Sequence, residues 1–226
     1  KNMLGQQGFE ELKESENWNL KEGGSYYVTR NGSSLIAFKI PKKDFKGFHI
    51  MASHSDAPTF RIKEHGEMDV EKLYTKLNVE KYGGMLMAPW FDRPLSVAGR
   101  IVIKEENQIK TKLFSVDRDL VMIPNLAIHM NREANDGYKY NPQKDMLPLL
   151  GDGDAKESFL AIIAQAAGME EEEIIGCELS LYNRMKGTIW GAKEEFISSP
   201  RLDDLQCVFS SLKGFLKGGN SETVTV

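Results

Sequence analysis

Two short stretches hold side chains that could do chemistry together. The first is Ser53-His54-Ser55-Asp56-Ala57-Pro58, which lies just after the compact apolar run from Phe48 to Ala52. An imidazole that binds a metal through one ring nitrogen needs the other nitrogen held by a carboxylate or carbonyl, which fixes its tautomer and raises its basicity. An Asp two residues after a His can turn back to do this at a strand end. A metal site here would therefore use His54 as ligand with Asp56 behind it; the plain alternative is a surface turn. The second stretch is Ser199-Pro200-Arg201-Leu202-Asp203-Asp204-Leu205. Read simply, it opens a helix, where carboxylates meet the positive end of the macrodipole and one of them caps the first turn. Alternatively, one carboxylate bridges two metal ions: dinuclear sites hold their metals roughly 3.5–4 Å apart, a gap that two carboxylate oxygens span. Both readings can hold at once, because a helix start is a rigid platform for a ligand.

The surrounding pattern says what must position these residues. Residues 3–16 suit a short amphipathic helix, with Met3, Leu4, Phe9 and Leu12 among charges. Ser25–Thr29 and Ser34–Ile40 read as a hairpin across Arg30-Asn31-Gly32-Ser33, since Asn-Gly between alternating runs is a strong turn signal. Phe48–Ala52 reads as a buried strand ending at the His54 segment, and polar side chains after such a strand are typical of sites in α/β sheets. Residues 59–82 are strand-like. Leu95–Ile103 and Gln108–Phe114 form a second hairpin, which Asp117–Ile123 continues. Residues 131–155, rich in Asn, Asp, Gly and Pro, read as a long loop. Ser158–Ala167 has a helical pattern stopped by Gly168. Glu170–Glu173 reads as a solvated turn or helix start rather than a chelator. Ile175–Tyr182 alternates like a strand. Leu205, Val208, Phe209, Leu212, Phe215 and Leu216 mark a helix that Gly218-Gly219 ends, and Val224–Val226 begins a strand.

Composition narrows the function classes. The chain has 226 residues, 41% of them apolar and 27% charged, with a net charge of −4 spread along its length. That is enough to bury a core. No basic patch of the kind that binds nucleic acid is present, and no apolar run approaches the roughly 20 residues that span a bilayer. The two cysteines, Cys177 and Cys207, lack finger spacing. Together with the missing signal-peptide pattern they imply reduced thiols in a cytoplasmic protein.

Five segments, in order, resemble the aspartyl aminopeptidase family of dinuclear zinc aminopeptidases. Phe48 through Pro58 is similar to the family segment ending His-Thr-Asp-Ser-Pro. Tyr82-Gly83-Gly84, with Trp90-Phe91-Asp92-Arg93-Pro94-Leu95 and Ala98-Gly99-Arg100 after it, looks like a second, and Ile123-Pro124-Asn125-Leu126-Ala127-Ile128-His129 a third. Phe196 through Leu205 holds the family's Pro-Arg-Leu-Asp core. Glu11-Leu12-Lys13 with Trp18-Asn19 and Thr29-Arg30-Asn31 matches its N-terminal part.

The resemblance implies a fold and a set of roles. The fold is α/β: a zinc-exopeptidase-like catalytic domain, incomplete here, formed by residues 1–88 and 196–226 and interrupted by a β-rich dimerisation domain, residues 89–195. His54 binds one zinc, Asp203 bridges two, and Asp56 orients His54. Asp204 stands where the family has Asn and is not counted as a ligand. His129 matches a histidine that reaches a neighbouring subunit's active site, touching substrate or the developing oxyanion. His49 and His65 match no role. The implied activity is removal of N-terminal residues, acidic ones by the family's preference, from peptide substrates by zinc-activated water, in a homo-oligomer built through the inserted domain.

The family also needs an Asp-Asn-Glu-Glu segment with the general base and another ligand, then a later Asp and His, and none has a counterpart here. A catalytic zinc takes about three protein ligands, so His54 and Asp203 cannot by themselves hold two ions firmly. The chain alone is expected to be inactive, as an incomplete portion of the enzyme. The alternative from another class is a non-catalytic oligomerisation module with a vestigial metal half-site. A carbohydrate-active protein using its Asp/Glu pairs ranks far below both.

Overall fold

The computed structural model describes residues 1–105 and 108–226. The chain opens with helix α1 (Asn2–Gln6) and strands β1 (Glu10–Leu12), β2 (Ser25–Arg30), β3 (Ser34–Lys39) and β4 (Gly47–His49). Next are the long strands β5 (Thr59–Val70), β6 (Tyr74–Tyr82), β7 (Leu95–Glu105) and β8 (Gln108–Ser115). Helix α2 (Pro142–Asp145), strand β9 (Leu149–Asp152), helix α3 (Phe159–Ala167) and strand β10 (Ile174–Asn183) come after them. A ribbon of β11 (Thr188–Trp190) and β12 (Phe196–Ser198) precedes helix α4 (Leu202–Lys217) and strand β13 (Thr223–Thr225). This is the mixed α/β class that the sequence implies.

Compactness divides the chain into a split unit, Lys1–Ala57 with Arg201–Val226, and a contiguous unit, Pro58–Pro200. The sequence placed the divisions at 88/89 and 195/196; by compactness they fall at 57/58 and 200/201. Strand pairing is the reason. β5 and β6 hydrogen-bond into the same sheet as β7 and β10, in the order β8-β7-β10-β5-β6-β9, so residues 59–82 form one body with β7 through β10.

In the split unit the sheet order is β1-β2-β3-β13-β4. The β2–β3 hairpin turns where expected, with Asn31 and Gly32 both in the left-handed region at φ 52° and 67°, the conformation a tight primed turn requires. One face of the sheet receives α4: Phe215 packs with Leu4, Phe9 and Tyr27, and Ala37, Leu212 and Leu216 close around them. The Lys39 ammonium donates to the carbonyls of Phe215, Leu216 and Gly218, at 2.6, 3.4 and 2.8 Å. Those carbonyls are the ones a helix end leaves without partners.

Two expectations change here. The helix read over residues 3–16 ends at Gln6, and Gly8 at φ 78° turns the chain so that β1 pairs in parallel with β2. The strand read as buried over Phe48–Ala52 is only Gly47–His49, and it lies at the sheet edge with Phe48, Ile50 and Met51 exposed. Burial depends on what packs over a strand's faces, which an apolar run does not by itself state.

In the contiguous unit all sheet neighbours are antiparallel. Alternate residues of the central strands point one way: Phe60, Leu77, Val79, Leu95, Val97, Ile101, Leu179 and Leu181 join Ile123, Met146, Phe159 and Ile163 in one core. A Cβ at Gly99 would sit 2.0 Å from the Glu178 carbonyl, so close strand approach demands glycine there. The Glu67 carboxylate accepts from the amides of Glu157 and Phe159 at 2.6 and 2.7 Å and starts α3. Gly168 in the left-handed conformation ends that helix as expected. Residues 117–123 form isolated bridges rather than a strand: Leu95 with Val121, Phe91 with Ile123 and Met122 with Leu149. The expected loop over 131–155 contains α2 and β9.

Candidate metal centre

The split unit brings one pair of expected residues together. Strands β4 and β13 run parallel, and their ladder continues: the Val226 amide donates to the His49 carbonyl (2.8 Å) and the Met51 amide to the Val226 carbonyl (3.0 Å). The chain then leaves the sheet beyond the carboxyl end of β4, the end at which open α/β sheets place their ligands. His54 lies on this exit. From the other sequence stretch, Arg201 at φ 65° turns the chain into α4, but Asp203 (φ −82°, ψ 108°) and Asp204 (φ −118°, ψ 20°) are not helical. The continuous helix begins after them, so both carboxylates stand on its threshold.

Asp56 turns back onto the His54 ring. His54 Nδ1 lies 3.1 Å from the Asp56 carbonyl oxygen and 3.2 Å from its Oδ1. With Nδ1 donating there, Nε2 is left to face a metal. His54 Nε2 is 3.3 Å from Asp203 Oδ1 and 3.8 Å from Asp204 Oδ2. The three ligand atoms all lie within 4.8 Å of one another. Zinc holds imidazole nitrogen and carboxylate oxygen at about 2.0–2.2 Å in near-tetrahedral array, which separates two such donors by roughly 3.4 Å. The His54–Asp203 spacing fits that requirement, and an imidazole with carboxylates is a zinc-competent donor set.

The two aspartates are not equivalent. The Asp203 side chain is 92% exposed and the Asp204 side chain 17%. Asp204 Oδ2 accepts from the His54 backbone amide at 3.1 Å. The Cys207 thiol also bonds to Asp204, and this bond first, then the His54 amide, holds the Asp204 carboxyl below the usual carboxylate range. The same bond pushes the Cys207 thiol up. Asp204 is thus engaged in fixing the His54 backbone, whereas Asp203 presents open lone pairs. The Asp56 carbonyl, and after it the charges of Asp204 and Asp56, raise the His54 imidazole above its ordinary value. A metal ion at Nε2 would compete with protonation there. By resemblance Asp204 is set aside, and Cys207 has no role. The pair are three residues apart across the start of α4, with Asp204 on its threshold and Cys207 in the continuous helix.

His129 belongs to the contiguous unit, on an exposed stretch after Ile123 where Met130 and Asn131 donate back to the Ala127 carbonyl at 2.8 and 3.2 Å. His65 is exposed on β5, and His49 ends β4. Both cysteines are exposed, free of any disulfide.

Residues 1–225 match the family described as aminopeptidase I zinc metalloprotease, M18. The chain belongs to the M18 family. A "Probable M18 family aminopeptidase 2" of Clostridium acetobutylicum is 47% identical over 100% of this chain and 54% of its own length. A chain in the cryo-EM structure of the Ape4 and Nbr1 complex superposes with a TM-score of 0.88 at 34% identity, covering 99% of this M18 chain and 48% of that one. The S. cerevisiae mApe1 dodecamer gives a TM-score of 0.79 at 29% identity, over 99% of this chain and 53% of that one. The M18 chain therefore spans about half the length of the curated relatives it matches.

Proposed function

We propose that this M18 chain supplies one side of the active site of a zinc aminopeptidase that removes N-terminal residues, acidic ones by family preference, from peptides. The observation that carries the reading is the convergence of His54 Nε2 on Asp203, with Nδ1 held by Asp56. In this reading His54 would hold one zinc and Asp203 would be shared between two. Asp56 keeps His54 in the tautomer that leaves Nε2 free, and Asp204 anchors the His54 backbone. Zinc bound there would polarise the scissile carbonyl and lower the pKa of its water. The general-base carboxylate and the remaining zinc ligands come from residues outside this chain, where the other half of the M18 relatives' length lies.

The contiguous unit carries the remaining roles. Its residues within 89–195 form the inserted β-rich domain through which copies associate, and the S. cerevisiae mApe1 dodecamer is in keeping with such assembly. His129 serves a neighbouring subunit's site, against substrate or the developing oxyanion. The protein works in the cytoplasm, without nucleic-acid or membrane partners.

Zinc titration by calorimetry tests the reading on this chain. Binding is expected for the native sequence and loss of at least about tenfold in affinity for His54→Ala or Asp203→Ala, as removing one of few zinc donors requires. Native-like affinity in both variants sinks the assignment. The chain alone is expected to release no N-terminal Asp or Glu from a peptide; zinc-dependent release by the purified chain refutes the claim that the base lies elsewhere. In the full-length aminopeptidase, His129→Ala should slow turnover and leave zinc content intact, and metal loss in that variant counts against its role.

A further inference from the structure

Asp92 occupies an unusual position for its residue type. It has φ 54°, in the left-handed region. Asp tolerates that region better than most residues, but a non-glycine residue stays there only when its surroundings over-determine it. Those surroundings are visible. Phe91 before it is buried and stacks on Tyr140 with ring centroids 5.0 Å apart. The Asp92 amide donates to the Ile123 carbonyl at 2.9 Å, and Ile123 is fully buried. The Asp92 carboxylate then uses both oxygens on one residue: Oδ1 accepts from the Asn125 amide at 2.9 Å and Oδ2 from Asn125 Nδ2 at 2.8 Å.

The place of this clasp gives it meaning. Leu120, Val121 and Ile123 are buried, whereas residues 124–130 are exposed. Asp92 grips the second residue of that exposed stretch. Beyond Asn125, Ala127 accepts from Met130 and Asn131 to close a compact turn, with Leu126, Ile128 and Met130 turned to solvent around His129. Apolar side chains held outward on a short turn would ordinarily collapse inward; a two-point, charge-assisted clamp at its base resists that. Because the clasp is itself exposed, it adds little to global stability, so its effect is local.

We infer that Asp92 is a positioning residue: its two-point grip on Asn125 sets the pose of residues 125–130 and so aims His129. The part of this that concerns His129 rests on the role proposed for it above. The amides of Asn125, Met130 and Asn131 report the pose directly, because each is hydrogen-bonded in the clasp or the turn.

The test is hydrogen exchange on this chain, paired with kinetics of the full-length aminopeptidase. Asp92→Ala should speed exchange at those three amides by about tenfold, the effect of losing hydrogen bonds to a charged group, with the unfolding midpoint unchanged. Asn125→Asp sets two carboxylates face to face and should do at least as much damage. The double variant Asp92→Asn with Asn125→Asp exchanges donor and acceptor. Position 92 then keeps an oxygen for the backbone amide of residue 125, and its side-chain amide nitrogen donates to the carboxylate introduced there. The double variant should restore slow exchange. In the full-length enzyme the two single variants should lower kcat and leave KM, zinc content and midpoint alone, and the swap should recover kcat. Unchanged exchange in Asp92→Ala, or failure of the swap to rescue it, overturns the inference. Altered exchange without a change in kcat, where His129→Ala does lower kcat, also overturns it and leaves the role of His129 standing. If His129→Ala is itself harmless while the swap rescues exchange, the role of His129 fails and the clasp is supported.

Discussion

The contiguous and split units differ in how they bury apolar surface. The contiguous unit draws one core from β5, β6, β7 and β10 and from α3. The split unit gathers a small cluster around Phe215 and leaves Phe48, Ile50, Met51, Leu205 and Phe209 exposed. Yet the side chains with metal geometry, His54 and Asp203, lie in the thinly packed unit. Burial fraction rises with the size of a packed body, and regions with few buried contacts open most easily. The larger core and the candidate metal donors therefore reside in different parts of the chain.

Substitutions can break or sharpen this contrast. The largest effect is expected in the contiguous core. Phe60 is fully buried and packs edge-on against Trp90 at 5.2 Å, so Phe60→Ala should cost about 3–5 kcal/mol. Urea unfolding monitored by tryptophan fluorescence reads it, and a cost below about 1 kcal/mol would deny this unit its dominant core. Phe215→Ala in the split unit should cost about 3 kcal/mol and abolish zinc binding, while the unfolding transition of the contiguous unit stays in place. Equal loss in both transitions would mean that the two units unfold as one.

Smaller effects sharpen the picture. Lys39→Met removes the donor to three carbonyls at the end of α4 and should cost about 1–2 kcal/mol, read as a lowered midpoint of the split unit alone. A shift in the contiguous unit instead would misplace that contact's role. Asp203→Asn should leave the metal-free midpoint unchanged, because its side chain is almost wholly solvated, and lower zinc affinity clearly in calorimetry. A metal-free protein that unfolds earlier would make Asp203 a structural residue.

Much of this was legible because local chemistry decided it. Asn31-Gly32 dictated its hairpin, Gly168 its helix stop, and the alternation in Leu95–Ile103 its core face. The His54–Asp56 pairing could be read because two residues suffice to bring a carboxylate back to a ring nitrogen. Long-range pairing was not legible. Nothing near Phe48 states that its strand will lie at a sheet edge, and its apolar run reads the same buried or bare. Nothing in residues 59–82 reveals that they share a sheet with β10, far along the chain, which is why compactness divides the molecule at 57/58 and 200/201. Asp204 was set aside by comparison with Asn, although both residues can accept the His54 amide and the distinction lies in charge. The Asp92–Asn125 clasp joins positions far apart in sequence, beyond the reach of any local pattern.

The split unit is interrupted by the contiguous one, and this orders events during synthesis. When Pro200 has just left the exit tunnel, every residue of Pro58–Pro200 has emerged but neither α4 nor β13. The inner unit can fold as the chain emerges, since domains form as units from the N-terminal side. His54 must wait for Asp203, and β3 and β4 for the strand that joins them. Nascent chains stalled once Pro200, but not β13, has cleared the exit tunnel should hold a protease-resistant inner core flanked by a digestible N-terminal arm, and resistance of that arm should appear only once β13 has cleared it too.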